Sequence, residues 1–265
     1  YRLVRRGARP LSSRYPGSRD PSFGAGDRRH PVLADAGSGA EIRRRPRLII
    51  HRIIEEFMIA DNIAAAETLE RWNQPCMYRV HDSPDPSKVD SLRDVLAGFD
   101  LKIARAQVLK PALFNQILER VAGTPHERLV NEMVLRTQAQ AVYKPNNLGH
   151  FGLGLRRYAH FTSPIRRYAD LLVHRALIRG LDSGKNDLSS GMTASLEKSG
   201  EHLSMTERRA MTAERDTIDR YLTAYLSDSI GATFTGHITG VTRFGLFVAL
   251  EDSGACLLYT SDAAD

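Results

Sequence analysis

The sequence predicts an α+β protein: a helix-rich body followed by a short all-β segment. Three observations predict it. From Leu48 to Leu226, apolar residues recur mostly at three- and four-residue steps, the mark of a helix with one buried face. After Gly231 the period becomes two, through Phe234, Gly236, Ile238 and Gly240, then Phe244, Leu246, Val248 and Leu250. The hydrophobic fraction, 42%, is enough to build a core.

The elements follow in order. Ile49, Ile53, Ile54, Phe57, Met58 and Ala65 predict a helix from Leu48 to about Arg71. Pro75, Pro84 and Pro86 mark residues 73–88 as a strand and turns. Leu92, Val95 and Leu96 predict a helix over Val89–Phe99. Pro111 suits a first helical turn, with Leu113, Ile117 and Leu118 behind it. Leu129, Met133 and Val134 predict a helix over Glu127–Val142. Residues 143–164 carry Pro145, Asn146, Asn147, Gly149, Gly152 and Gly154, and read as a loop. A helix is expected to start near Pro164, and a long one to cover roughly Thr193–Leu226. The final pair of strands turns around Val241–Arg243.

Residues 1–45 do not fit this pattern. They hold eleven arginines and four acids, a net +7, and no lysine appears before Lys88. The remainder carries 26 basic and 27 acidic residues, so the formal charge of +6 comes entirely from this segment. It has no sustained helical or strand period and is expected to be irregular. Two readings remain: a disordered RNA-binding arm, or wrong-frame translation. Cys76 and Cys256 lie 180 residues apart without metal-ligand spacing, which argues against a disulfide framework or zinc site and for a reducing cytoplasm. No leader and no apolar run of membrane-spanning length is present, so neither secretion nor a membrane is expected.

The richest segment runs from Tyr158 to Arg175. Ser163 and Pro164 can cap and start a helix, whose free N–H groups bind anions. Arg166 and Arg167 would then sit in a first turn, where cations oppose the helix dipole unless an anion or carboxylate offsets them. An arginine fork matches a phosphate in a bidentate manner. The alternative is pairing with Asp170, for which Arg166 has helical i,i+4 spacing. On helix 48–71, Glu55 and Asn62 share a face with ribose-binding chemistry, or belong to a solvated polar face. His150, His160 and His174 match no metal spacing and read as structural. Phe234, Phe244 and Phe247 on the strand pair could stack on unpaired bases or fill a small core.

His150-Phe-Gly-Leu and Phe161-Thr-Ser-Pro-Ile-Arg-Arg-Tyr-Ala-Asp-Leu resemble the signature of the ribonuclease II / ribonuclease R (RNB) family. So do His51-Arg-Ile-Ile-Glu-Glu-Phe-Met-Ile-Ala-Asp-Asn and Ala213-Glu-Arg. Several motifs agree in order and spacing from about Pro46 to Ala255, and Tyr143–Asp170 is nearer the ribonuclease R version. The resemblance implies the C-terminal part of an RNB catalytic domain over residues 46–228. The start of an OB-fold RNA-binding domain would follow at 229–255, and a tail unlike the family at 256–265. It implies a processive 3′→5′ exoribonuclease that releases nucleoside monophosphates from single-stranded RNA with two magnesium ions. No protein partner is implied. By position, Arg166 would contact the scissile phosphate, Glu55 the ribose, and Glu214 the terminal nucleotides. Tyr158, Thr162, Ser163 and Arg167 would be channel or structural positions.

Two departures bear on this. The family's metal ligands are a tight aspartate cluster upstream of the Glu-Glu-Phe-Met helix. Here the upstream aspartates are Asp20, Asp27 and Asp35, spaced by seven and eight residues. This polypeptide is therefore expected to hydrolyse little or no RNA unaided, and a non-catalytic RNA-binding role is the alternative. In addition, about two strands of a five-stranded barrel are expected to remain at the end. A chain that lacks half of a domain is also open to not folding uniquely.

Overall fold

The computed structural model describes residues 48–101, 109–182 and 187–260, and the backbone of 29–32 and 41–44. The described residues divide into two compact units, one within 48–206 and one of 29–32, 41–44 and 207–260.

The first unit is built on α1 (Ile49–Arg71), whose bounds match the expected helix. Its rear half buries Asn62, Ala65, Ala66 and Leu69. Its front half leaves Ile49, Ile53, Ile54 and Phe57 exposed, although these residues read as core. The strand β3 (Tyr78–Val80) follows, then α2 (Pro86–Ala97), started by Asp85 accepting the Ser87 N–H. The next helices are α3 (Pro111–Val121) and α4 (Glu127–Thr137). Helix α4 ends five residues before the expected Val142. Residues Val142–Lys144 form β4 instead, antiparallel to β3 with Arg79 opposite Tyr143. Backbone pairing with a strand 62–66 residues earlier overrides the helical period here.

Residues 143–164, read as a loop, are stitched to β3. The Arg79 N–H donates to the Tyr158 carbonyl at 2.9 Å, and the Phe151 N–H to the His81 carbonyl at 2.8 Å. Gly149 takes φ 75°, a left-handed conformation that glycine adopts without strain, and turns this segment back on itself. Then come α5 (Tyr168–Gly180), α6 (Ser190–Ala194) and α7 (Leu196–Leu226). Helix α7 approaches β4 closely: a Cβ on Gly200 would lie 2.5 Å from the Tyr143 carbonyl oxygen. One turn on, Ser204 Oγ accepts the Tyr143 N–H at 2.9 Å.

Two main clusters form the core of this unit. One joins α1, β3, β4, α5 and the start of α7 through Leu69, Met77, Tyr143, Val173 and Leu196. The other closes α2, α3 and α4 on one another through Leu92, Leu96, Phe114, Ile117 and Val130. A smaller third, Leu153, Leu155 and Tyr158, receives Ile59 and Ile63 of α1.

In the second unit, β5 (Gly236–Thr242), β6 (Gly245–Leu250) and β7 (Cys256–Tyr259) form an antiparallel sheet in sequence order. Leu250 and Ala255 pack on Ile218, Leu222 and Leu226 of α7. The hairpin is as expected, but the sheet has a third strand: Cys256–Tyr259, expected as an unrelated tail, pairs with β6 through Phe247 opposite Leu258. An open β6 edge accepts any extended apolar neighbour. Within the segment expected to be irregular, β1 (Arg29–Val32) and β2 (Glu41–Arg44) form an antiparallel pair, Arg29 opposite Arg44. Backbone pairing requires no side-chain period. The remainder of residues 1–45 lies outside the described residues. The α+β class holds. Among the described residues, no helix is long and apolar enough to cross a membrane.

Candidate functional site

The segment from Phe161 to Arg167 is a loop clamped from two helices. From α1, Asn62 Oδ1 accepts the Phe161 N–H at 2.8 Å. From α5, His174 Nε2 donates to the Phe161 carbonyl at 2.9 Å, and the two rings stack with centroids 4.3 Å apart. Two residues on, the Ser163 N–H donates to Asp170 Oδ1 at 2.8 Å. The Ser163 carbonyl accepts the Arg167 N–H at 3.1 Å, closing one turn.

This turn corrects the expected helix start. Helix α5 begins at Tyr168, with Arg167 rather than Ser163 as its N-cap. The two arginines precede the helix, so the anion site proposed on its first-turn N–H groups does not form at Ser163. The expected pairing also changes partner. Arg167, not Arg166, binds Asp170, Nη2 to Oδ1 at 2.8 Å. Asp170 has no exposed surface and the Arg167 side chain is 14% exposed. Arg166 is exposed and forms no ion pair among the described residues.

The other expected positions sort by burial. Tyr158, expected along the RNA path or as structural, is 3% exposed, and its hydroxyl accepts Asn62 Nδ2–H at 3.0 Å. Asn62, a ribose-binding candidate, is 2% exposed and spends both ends of its amide on Tyr158 and Phe161. Both residues tie α1 to the loop. Glu55 stands two turns earlier on the same face of α1 and is half-buried. Thr162 and Ser163 are half-buried, and Thr162 Oγ1 has no partner among the described residues. Glu214 is exposed on α7. Phe234, Phe244 and Phe247 are all exposed, and the Arg243 guanidinium lies 4.5 Å above the Phe244 ring. None of the three is core.

Behind the loop runs a buried chain of rings that the sequence reading did not connect. His81 stacks on His150 at 5.0 Å, His150 meets the Tyr158 edge at 5.3 Å, and Tyr158 meets His160 at 5.7 Å. Tyr143 closes the chain, its hydroxyl 2.8 Å from His160 Nδ1. Burial, followed by repulsion from His81 and Arg79, lowers the His150 pKa to about 3. Burial, followed by Arg167 and Arg79, holds His160 well below the usual histidine value. Both are neutral at pH 7, as structural histidines should be. Only the alternation of His150, Tyr158 and His160 around the glycine turn hinted at this stack. Among the described residues, no group of three or more histidine, cysteine, aspartate or glutamate side chains could hold a metal ion. They do not fit magnesium, and no catalytic step through a metal follows from them.

The arrangement is therefore a loop clamped from two helices that presents one exposed guanidinium, Arg166. Such a group binds phosphate oxygens and can stabilise charge that develops on them. The clamping residues all fall within a match to the RNB domain over residues 23–183, and the chain belongs to that family. The match opens at residue 23, inside the segment expected to be irregular, whereas resemblance was expected from residue 46. Ribonuclease R of Aquifex aeolicus is 45% identical over 222 residues, covering 84% of this chain and 31% of that protein. Ribonuclease R of Escherichia coli K12 is 41% identical over 219 residues, covering 80% and 27%. The structure of Mycoplasma genitalium RNase R in complex with ribose-methylated single-stranded RNA aligns with a TM-score of 0.78 at 29% identity. It covers 86% of this chain and 36% of that one. The expected kinship with ribonuclease R is borne out, and the chain spans about a third of these relatives' length.

Proposed function

We propose that the chain is part of a processive 3′→5′ exoribonuclease that hydrolyses single-stranded RNA to nucleoside monophosphates in the cytoplasm. One observation carries the reading: Arg166 stands exposed on a loop clamped to α1 and α5, within an RNB domain. Structures of a relative bound to ribose-methylated single-stranded RNA and to double-stranded RNA support RNA as the ligand. In this reading Arg166 binds the scissile phosphate and offsets its developing charge. Glu55 meets a ribose and Glu214 the terminal nucleotides, while Thr162 and Ser163 line the path. Arg167 and Tyr158 act through the loop they brace. The sheet β5–β7 is the start of an OB-fold, whose Phe234, Phe244 and Phe247 stack on bases. Domain limits of 46–228 and 229–255 follow from the same reading.

Magnesium supplies the activated water when bound, and its ligands are proposed to lie outside the described residues. The chain alone is then expected to release no mononucleotide from a single-stranded oligoribonucleotide in magnesium buffer. A polypeptide that includes a complete upstream domain should release it, and should lose that activity on Arg166→Ala. Full activity in that variant would overturn the role of Arg166. A second reading, a non-catalytic RNA-binding chain, is favoured by the lack of a metal-holding group among the described residues. It expects salt-dependent binding that survives EDTA, and no RNA binding at low salt would exclude it.

A further inference from the structure

Arg166 and Arg167 are adjacent and chemically identical, yet one is exposed and the other is withdrawn onto a buried carboxylate. The sequence permits the opposite outcome, because Arg166 and Asp170 have the i,i+4 spacing of a helical ion pair. The structure excludes it through the turn at residues 163–167. One oxygen of Asp170 accepts from both ends of that turn, from the Ser163 N–H at 2.8 Å and from Arg167 Nη2 at 2.8 Å. The turn closes on itself as the Ser163 carbonyl accepts the Arg166 and Arg167 N–H groups at 3.3 and 3.1 Å. Asp170 has no exposed surface, and among the described residues both of its contacts fall on Oδ1 while Oδ2 and Arg167 Nε have no hydrogen-bond partner, so Arg167 and the Ser163 N–H are what offset its buried charge. With Ser163 and Arg167 held, Arg166 is left at the solvent side of the turn.

We infer that Asp170 is a positioning residue that sorts the two arginines, holding Arg167 in the protein so that Arg166 alone is presented to an RNA phosphate. The presentation to phosphate rests on the functional reading above; the sorting does not. Freed from Asp170, Arg167 would become a second, competing phosphate ligand one residue along. Register on the RNA backbone would then be shared between two side chains. The device therefore determines which phosphate meets the guanidinium, and not merely how tightly RNA is held.

The test has two arms on the 265-residue chain. The first uses phenylglyoxal, which modifies exposed guanidinium groups, with each site read by peptide mass spectrometry. Arg166 should react at least about tenfold faster than Arg167, because a mostly buried guanidinium paired with a carboxylate is withheld. In Asp170→Asn, Arg167 should rise to the rate of Arg166. Equal rates in the unaltered chain, or continued protection of Arg167 in Asp170→Asn, would overturn the sorting. The second arm measures binding of a short single-stranded oligoribonucleotide. Arg166→Ala should weaken binding in the unaltered chain but much less in the Asp170→Asn background, where Arg167 substitutes. In the neutral pair Arg167→Gln with Asp170→Asn, the full dependence on Arg166 should return, a rescue that a merely structural aspartate would not produce. If Asp170→Asn alone does not fold, the neutral pair and the labelling of the unaltered chain decide. An unaltered chain that binds no RNA, with Arg167 still protected, would overturn the phosphate reading while leaving the sorting in place.

Discussion

Asn62 and Phe161, 99 residues apart in sequence, are joined where the Phe161 N–H donates to Asn62 Oδ1 at 2.8 Å. The other end of the same amide donates to the Tyr158 hydroxyl at 3.0 Å. One buried side chain thus ties helix α1 to the loop that presents Arg166.

Removing this clamp strands a backbone donor and leaves a cavity against a buried tyrosine. Asn62→Ala is expected to lower the unfolding free energy by about 2–4 kcal/mol. Urea unfolding followed by circular dichroism measures it. A loss within about 0.5 kcal/mol, the range of ordinary surface substitutions, would show that the clamp carries no weight.

Arg166 and Arg167 should behave as opposites in the same assay. Arg166→Ala removes an exposed side chain without an ion pair among the described residues, and stability should move by no more than about 0.5 kcal/mol. Arg167→Ala leaves Asp170 buried and unpaired, and should lower stability by about 3–5 kcal/mol. Equal effects from the two variants would contradict the geometry.

The buried histidines make stability depend on pH in a defined direction. His150 titrates at about 3 in the folded chain and His160 well below its usual value, while the unfolded chain takes up these protons near pH 6.5. The unfolded state therefore binds more protons below that pH. Stability from these groups is complete above pH 6.5 and falls as the pH drops toward 3. The slope approaches about 1.4 kcal/mol per pH unit for each histidine. Urea midpoints at pH 7.5, 6, 5 and 4 read this directly. A flat profile would mean that the histidines are charged or solvated in the folded state.

Phe244 and Phe247 project from a sheet that is already packed on α7 through Leu250 and Ala255. Their replacement by alanine should leave the fold intact. If they stack on bases, each substitution should weaken binding of a single-stranded oligoribonucleotide by about 1–3 kcal/mol. Unchanged affinity, measured by fluorescence anisotropy at low salt, would remove the sheet from the RNA path.

The long helices were legible because a helix with one buried face writes its period into the chain. Residues 49–71 and 196–226 fall within a few residues of where that period places them. Two helix ends were misread for one reason. Val142 leaves the helical pattern to pair with Val80, and Pro164 yields the helix start to Tyr168 because Asp170 draws Ser163 and Arg167 into a turn. Both choices depend on partners outside the local window. The exposed Ile49, Ile53, Ile54 and Phe57 show the converse limit: an apolar period announces a face, not what covers it.

For the site, the motifs named candidate residues, but not which of them are buried and which are exposed. Motif order along the chain was enough to indicate the RNB family and to single out Arg166, Arg167, Glu55 and Tyr158. Motif position gave Arg166 and Arg167 different expected roles, but nothing in the order of side chains shows that Arg167 rather than Arg166 pairs with Asp170, or marks Asn62 as a bracket rather than a ribose contact. Those assignments come from burial and from hydrogen bonds across 96 and 99 residues. A polar group removed from water must find its partner inside the protein, wherever in the chain that partner lies. Sequence spacing records the periodic part of folding; the pairing of buried polar groups appears only when distant segments meet.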